Sequence, residues 1–343
     1  MSADPGALDD ATLERIFTDY VAPTLFAGKT ASDRPVGAIV GAQPGAGKTR
    51  VVAAVGHELT PAAVIVGDDL RKFHPGHDAA MARDPLGMPA LTGHAAGTWV
   101  DRAIQEACDR RLSLVVETTF RRPETVLRTA QRLRDAGHQV HVYALAVPSA
   151  VSRLGTVQRY VAQLEEHGAG RWTHSQFHDD AVTMMPETLE RVVDAGLVDE
   201  LHVVDRSGRD LYIAQPGTDG AAARRALDVG RTLQTMTPEA ATSWVAEYAR
   251  CSRILLEAGE KNPDVVATLA ELGRQGEAIA QAAGTDIAAA QLSDAAAAVR
   301  RAQLQIARPR PLVSGSPASS LRIHLGERPR TFGPSRGGPS IER

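Results

Sequence analysis

The sequence predicts an α/β fold, a parallel sheet with helices on both faces, followed by a C-terminal all-α appendage and a disordered tail. Between residues 36 and 214, short apolar runs rich in β-branched residues alternate with helical patterns, as they do where strand–helix–strand units build a parallel sheet. A glycine-rich loop joins the first of these runs to a helical stretch. Beyond residue 237 the apolar spacing is helical to about 306, and from 308 onward Pro, Gly, Ser and Arg dominate.

Residues 7–20 read as an amphipathic helix, with Leu8, Leu13, Ile16, Phe17 and Tyr20 available to one side. Strands are expected at 36–40, 62–66, 112–116, 140–146 and 201–204, the last turning through Ser207-Gly208 into a hairpin partner that ends at Ile213. Pro216, Gly217, Gly220 and Gly230 punctuate the next stretch, a linker with some helix. Thr237-Pro238-Glu239 opens a helix with a capping residue and a proline at its first position. Breaks at Asn262-Pro263 and Gly284 divide the C-terminal helical stretch into three helices. The tail has too little apolar surface to offset its ordering entropy. The division is therefore 1–33, an N-terminal helix and lead-in; 34–215, the α/β domain; 216–236, linker; 237–307, helical appendage; and 308–343, disordered basic tail.

Bulk properties exclude several classes. A chain of 343 residues exceeds one average domain, and a net charge of -3 offers no bulk attraction to nucleic acid. Cys108 and Cys251 stand far apart, without the spacing of a disulfide scaffold or a zinc site. The first twenty residues carry Asp4, Asp9, Asp10, Glu14 and Asp19 against Arg15 alone, the reverse of a basic leader. With no apolar run of about eighteen residues, the chain reads as cytoplasmic and without membrane association.

The loop after the first strand runs Gly41, Ala42, Gln43, Pro44, Gly45, Ala46, Gly47, Lys48, Thr49. Its glycines let backbone N–H groups turn toward phosphate oxygens, the next helix presents its positive end, and the lysine reaches the β and γ oxygens. This is a Walker A loop in a P-loop NTPase-type sheet, and it calls for ATP with Mg2+ held by the Thr49 hydroxyl.

Ligands in such sheets lie beyond the carboxyl ends of the strands. Asp68 and Asp69 follow the second strand, Glu117, Thr118 and Thr119 the third, and Asp205-Arg206 the fifth. A hydroxyl acceptor of a phosphoryl group needs a carboxylate to orient it and take its proton, a task Asp68 fits; the alternative is that Asp68 or Asp69 caps the next helix. Arg153, Arg159 and Arg171 lie on and after a helix that starts near Ser149, where they serve either as phosphate-directed charge or as surface solvation. His74, His77, His94, His174 and His178 form no recognisable zinc pattern, although His174 and His178 would share a helix face.

Taken together, these segments resemble the zeta toxin family over roughly residues 33–214. The loop departs from the family in Ala42, which stands where the family has glycine. Gly67-Asp68-Asp69-Leu70-Arg71 with His74-Pro75 is similar to the family block whose first carboxylate is the catalytic base, which implies that role for Asp68. Glu117-Thr118-Thr119-Phe120-Arg121 is similar to its Glu-Gly-Thr-x-Arg substrate block, implying substrate contacts for Glu117, Thr119 and Arg121. Gly155-Thr156 through Arg159-Tyr160 and Arg171-Trp172-Thr173 match blocks whose arginines contact the triphosphate, so Arg159 and Arg171 inherit catalytic roles beside Lys48. Asp101 stands where the family carries a substrate-binding glutamate.

The resemblance implies a kinase that phosphorylates the 3′-hydroxyl of the amino sugar in UDP-N-acetylglucosamine, is toxic by depleting a cell-wall precursor, and is blocked by a small antitoxin protein. Two alternatives stay open. One is a P-loop kinase of another small hydroxyl metabolite, such as a nucleotide sugar, a dinucleotide or an antibiotic. The other is a non-catalytic nucleotide-binding interaction module using the cationic tail. Arg308, Arg310, Arg322, Arg328, Arg330, Arg336 and Arg343 are accompanied by almost no aromatic residues for base stacking, so the tail reads as solvated charge and nucleic acid is not an expected partner.

Overall fold

The computed structural model describes residues 6–214 and 217–307. The chain opens with α1 (Asp10–Ile16), a π-helical turn at Phe17–Val21 and α2 (Ala22–Phe26). Next, β1 (Val36–Gly41) leads into α3 (Lys48–Glu58), and β2 (Ala63–Ile65) into the helical turn α4 (Gly67–Leu70), α5 (His77–Arg83) and the long α6 (Met88–Asp109). Then β3 (Leu114–Thr118) precedes α7 (Pro123–Asp135), β4 (Gln139–Leu145) precedes α8 (Ser149–His167) and α9 (Ser175–Asp194), and β5 (Glu200–Val204) folds back as β6 (Asp210–Ile213). The last helices are α10 (Gly220–Gly230), α11 (Pro238–Glu257), α12 (Pro263–Ala283) and α13 (Asp286–Ala307).

The strands lie in the order β2-β3-β1-β4-β5-β6, parallel except for β6. Strands covered on both faces must be apolar on both, and β1 alternates accordingly. Ile39 joins Val116 and Val142 in the cluster shared with α6 and α7, while Ala38 and Val40 join Val115 and Leu145 in the cluster beneath α3. The sheet continues from β1 to β3 on one side and to β4 on the other, which opens a crevice at the carboxyl end of β1.

Three features differ from expectation. The third strand starts and ends two residues late: Arg111 adopts φ 53 and the Leu112 N–H returns to the Ala107 carbonyl, so Leu112 belongs to the helix exit. Glu117 and Thr118 are consequently inside the sheet, opposite Val40 and Gly41. The second strand is shorter than expected because the chain enters α4 at Gly67. Lastly, the stretch expected as a linker with some helix is part of the core: Ala223 and Leu227 of α10 are buried in the cluster of Leu201 and Val203.

Helices α11 and α12 pack on α8, and α13 packs on α11 and α12. Leu154, Val157 and Tyr160 of α8, with Trp172 beyond it, share one apolar cluster with Trp244, Tyr248, Val265 and Leu269. The helices expected as an appendage therefore share a core with the α/β domain, and the chain to Ala307 forms one compact unit. The tail at 308–343 lies outside the described residues. No helix among the described residues is long and apolar enough to cross a membrane.

Candidate active site

Gly45 and Gly47 adopt φ 75 and 89, the left-handed region where a side chain is strained. Gly45 has a second reason to be glycine. A Cβ there would come within 2.0 Å of the Ser152 carbonyl, and one on Gly155 within 2.2 Å of the Gly45 carbonyl, so loop and α8 cross backbone against backbone. Ala42 needs no left-handed backbone; its methyl group is fully buried and its N–H reaches the Thr118 carbonyl at 3.3 Å. Gln43 belongs to the loop by its backbone alone, because its side chain turns inward and Nε2 donates to the Val147 carbonyl at 2.7 Å and to Ser152 Oγ at 3.1 Å.

From Ser152 a buried chain of hydrogen bonds continues to His178 Nε2 at 2.9 Å and from His178 Nδ1 to Asp179 at 2.9 Å, with Arg153 on the same carboxylate. The Asp179 carboxylate requires the proton on Nδ1, leaving Nε2 to accept from the Ser152 hydroxyl. Burial pushes His178 down to about 4, so it is neutral. Arg153 is thereby committed to Asp179, while His174 caps α9 by accepting from the Gln176 N–H.

Lys48 is buried, its Nζ donating to the Ala42 and Gln43 carbonyls at 2.9 and 3.3 Å and lying 3.6 Å from Glu117 Oε1. Burial lowers Lys48 and raises Glu117, each against the pull of the other. Asp68 faces the same cluster from the first turn of α4. It caps nothing: Arg171 grips it with both terminal nitrogens, one at 2.9 Å, and Arg71 Nε adds a bond of 3.0 Å. Burial pushes the Asp68 carboxyl up, but Arg171 and then Arg71 more than reverse this and hold it well below the usual carboxylate range.

Arg159 donates to the Thr173 hydroxyl, has a buried Nε without a hydrogen-bond partner, and forms no salt bridge among the described residues. Burial lowers it and the charge of Arg171 lowers it further, with Asp68 and Glu117 opposing. The structure thus gathers Lys48, Asp68, Glu117, Arg159 and Arg171 into one group whose charges act on one another beside the loop. Thr49 stands exposed in the first turn of α3, at the edge of a cavity of about 510 Å³ lined also by Gly47, Arg50, Arg206 and Ser207. In the sequence Arg206 is marked only by its place after the fifth strand, and Arg50 by nothing beyond its position next to the loop.

Asp101 and Glu117 line one small cavity of about 70 Å³ together with Thr118. Thr119 comes next, half-buried, and Phe120 takes φ 52. That strained conformation puts the Phe120 ring under Gly41, where a Cβ would meet it at 2.3 Å, and the Phe120 carbonyl accepts from the Thr188 hydroxyl at 2.7 Å. Arg121 is directed elsewhere: it stacks on the Phe177 ring at 4.6 Å, with Arg122 and Asp180 as its charged neighbours.

Sheet order, glycine loop and the cations around it define a P-loop protein. A zeta toxin family model matches residues 24–215, and the chain belongs to this family. It is 29% identical over 190 residues to the zeta toxin of Enterococcus hirae, covering 55% of this chain and 66% of that protein. It is 25% identical over 240 residues to toxin PezT of Streptococcus pneumoniae, covering 69% of this chain and 89% of that one. A solved structure from the PezAT toxin–antitoxin system of Streptococcus pneumoniae shares the fold, with a TM-score of 0.62 at 20% identity, over 72% of this chain and 98% of that chain. The match to the Enterococcus hirae toxin thus spans just under two thirds of that protein's length.

Proposed function

We propose that this protein is an ATP-dependent kinase that phosphorylates the 3′-hydroxyl of the amino sugar of UDP-N-acetylglucosamine. The observation that carries the reading is the cation group at the loop: a buried Lys48 held only by loop carbonyls and a carboxylate 3.6 Å away, beside glycines in left-handed conformation, and an Arg159 with a buried, unpartnered Nε whose charge acts on Lys48. Cations withdrawn from water without full pairing are costly, and a triphosphate would relieve that cost. Membership of a family whose relatives are toxins supports it.

In this reading Gly45 to Thr49 cradle the β and γ phosphates, and Lys48 exchanges its carbonyl partners for phosphate oxygens. Arg159 and Arg171 lie against the transferring group. Asp68, ionised at neutral pH, orients the acceptor hydroxyl and takes its proton; its basicity rises once Arg171 turns from it to the phosphate. Magnesium fits the Thr49 hydroxyl, since this ion keeps several waters and needs few protein ligands beside phosphates, and it supplies neutralising charge when bound. Glu117 and Asp101 hold the acceptor, with Thr119 at its rim; Arg121, stacked on Phe177, would have to leave that ring to reach it. A small antitoxin protein is the proposed partner, as in the toxin–antitoxin system of the structural relative.

One observation favours a different acceptor hydroxyl. Thr118, in place of a glycine, lines the cavity shared by Asp101 and Glu117, which at about 70 Å³ is too small for a sugar ring in this conformation. A panel of nucleotide sugars, dinucleotides and aminoglycosides incubated with ATP and magnesium, read by mass, tests both. Gain of one phosphate by UDP-N-acetylglucosamine supports the proposal; gain by another member alone transfers it to that acceptor, and gain by none contradicts a kinase.

A further inference from the structure

Arg171 lies between α8 and α9 in a stretch without regular structure, residues 168–174. A guanidinium that acts on a transferring group must be held in place, and such a stretch cannot do that by itself. Within the family-matched region the Arg171 guanidinium is held by Asp68, the Arg171 N–H donates to Gln163 Oε1 at 2.7 Å, and Arg159 donates to Thr173.

Further supports for residues 172–175 come from residues 260–264, outside the family match. Asp264, in the first turn of α12, accepts from Trp172 Nε1 at 2.6 Å and from the Ser175 N–H at 2.9 Å with one oxygen, and from the Ser175 hydroxyl with the other. Its carboxylate thereby spans the segment from the residue after Arg171 to the start of α9. Trp172 is buried and meets Tyr160 edge to face at 5.4 Å, and the Tyr160 hydroxyl donates to Glu260 at 2.8 Å. Asn262 locks the clamp, its N–H on Glu260 and its Oδ1 accepting from the Asp264 N–H. Burial pushes Asp264 up, yet its bonds to Ser175 and Trp172 outweigh this and keep it ionised.

We propose that Asp264 is a positioning residue for phosphoryl transfer: through Trp172 and Ser175 it fixes the stretch that carries Arg171, so that the C-terminal helices complete the active site. This rests on the reading of Arg171 as a charge aimed at the transferring phosphate. Asp264→Asn keeps the volume but sets an NH2 group against one of three donors, loosening the stretch without emptying the site.

The test is a double-mutant cycle in the full chain, with kcat and the KM for ATP measured for wild type, Asp264→Asn, Arg171→Ala and the pair, and thermal midpoints alongside. Trp172→Phe, which removes the N–H donor and keeps a ring, is the second route to the same break should Asp264→Asn not fold. Expected are a kcat lowered by roughly tenfold or more, a KM for ATP within about twofold, and almost no further loss when Asp264→Asn or Trp172→Phe is added to Arg171→Ala. Unchanged kcat, or a full additive loss in the Arg171→Ala background, would overturn the proposal, because a purely structural residue would act regardless of Arg171. If Arg171→Ala itself transfers at the original rate, the assigned role of Arg171 falls and this inference with it.

Discussion

Lys48 is a buried cation whose nearest acceptors are two carbonyls of its own loop and a carboxylate 3.6 Å away. None of these is a ligand that a fold requires, so Lys48→Ala is expected to remain folded while transfer falls on the order of a thousandfold; unchanged turnover in the folded variant would remove the loop from the chemistry. His178 gives a prediction in pH. Its folded value of about 4 lies below its ordinary 6.5, so the unfolded chain binds the proton first as pH falls. The stability it contributes is complete above pH 6.5 and is lost progressively toward pH 4, by up to about 3 kcal/mol. Thermal midpoints of His178→Gln should therefore fall less steeply with pH over that window than those of wild type, and parallel curves would contradict the assignment. At this scale Lys48 and Asp68 are legible in the sequence because each lies just beyond an apolar strand. The inward turn of Gln43 and the diversion of Arg121 onto Phe177 are not, since both depend on helices far away in the chain.

Among the elements, the contact between the loop and α8 is a tight constraint. Both sides are glycine, and Gly155→Ala would drive a methyl group into the Gly45 carbonyl. The expected outcome is a loss of about 1–3 kcal/mol of stability, the usual cost of overpacking, together with weakened ATP binding, because the displaced backbone is the phosphate cradle. Denaturant unfolding and calorimetric titration with ATP read the two effects; wild-type affinity in a folded Gly155→Ala protein would show that the loop does not depend on this crossing. Strand and helix identities are legible from the alternation of apolar runs with helical spacing. Ends are less so: the shift of β3 that carries Glu117 and Thr118 into the sheet originates in the φ of Arg111, a position with no glycine or proline to announce it. Phe120 is similar, its φ of 52 imposed by packing under Gly41 and by the bond to Thr188.

For the whole molecule, the sheet and the C-terminal helices meet along α8, one face of which looks to the loop and the other to the cluster of Trp244 and Tyr248. The helical character of residues 237–307 is plain in the sequence from caps and periodicity, but their partner is not, because an apolar face does not name what it packs on. For the same reason α10 reads as linker until Ala223 and Leu227 are seen beneath the sheet. The account makes one arrangement central: a carboxylate at Asp68, held by Arg171 and Arg71, facing the loop that would hold ATP. Its most direct test compares phosphoryl transfer from ATP to whichever acceptor of the panel gains a phosphate, by Asp68→Asn and Asp69→Asn. Asp68→Asn should fold and bind ATP yet transfer roughly 10²- to 10⁴-fold more slowly, whereas Asp69→Asn stays near wild type; an Asp68→Asn enzyme at the original rate, or the reverse order of the two, would contradict the account.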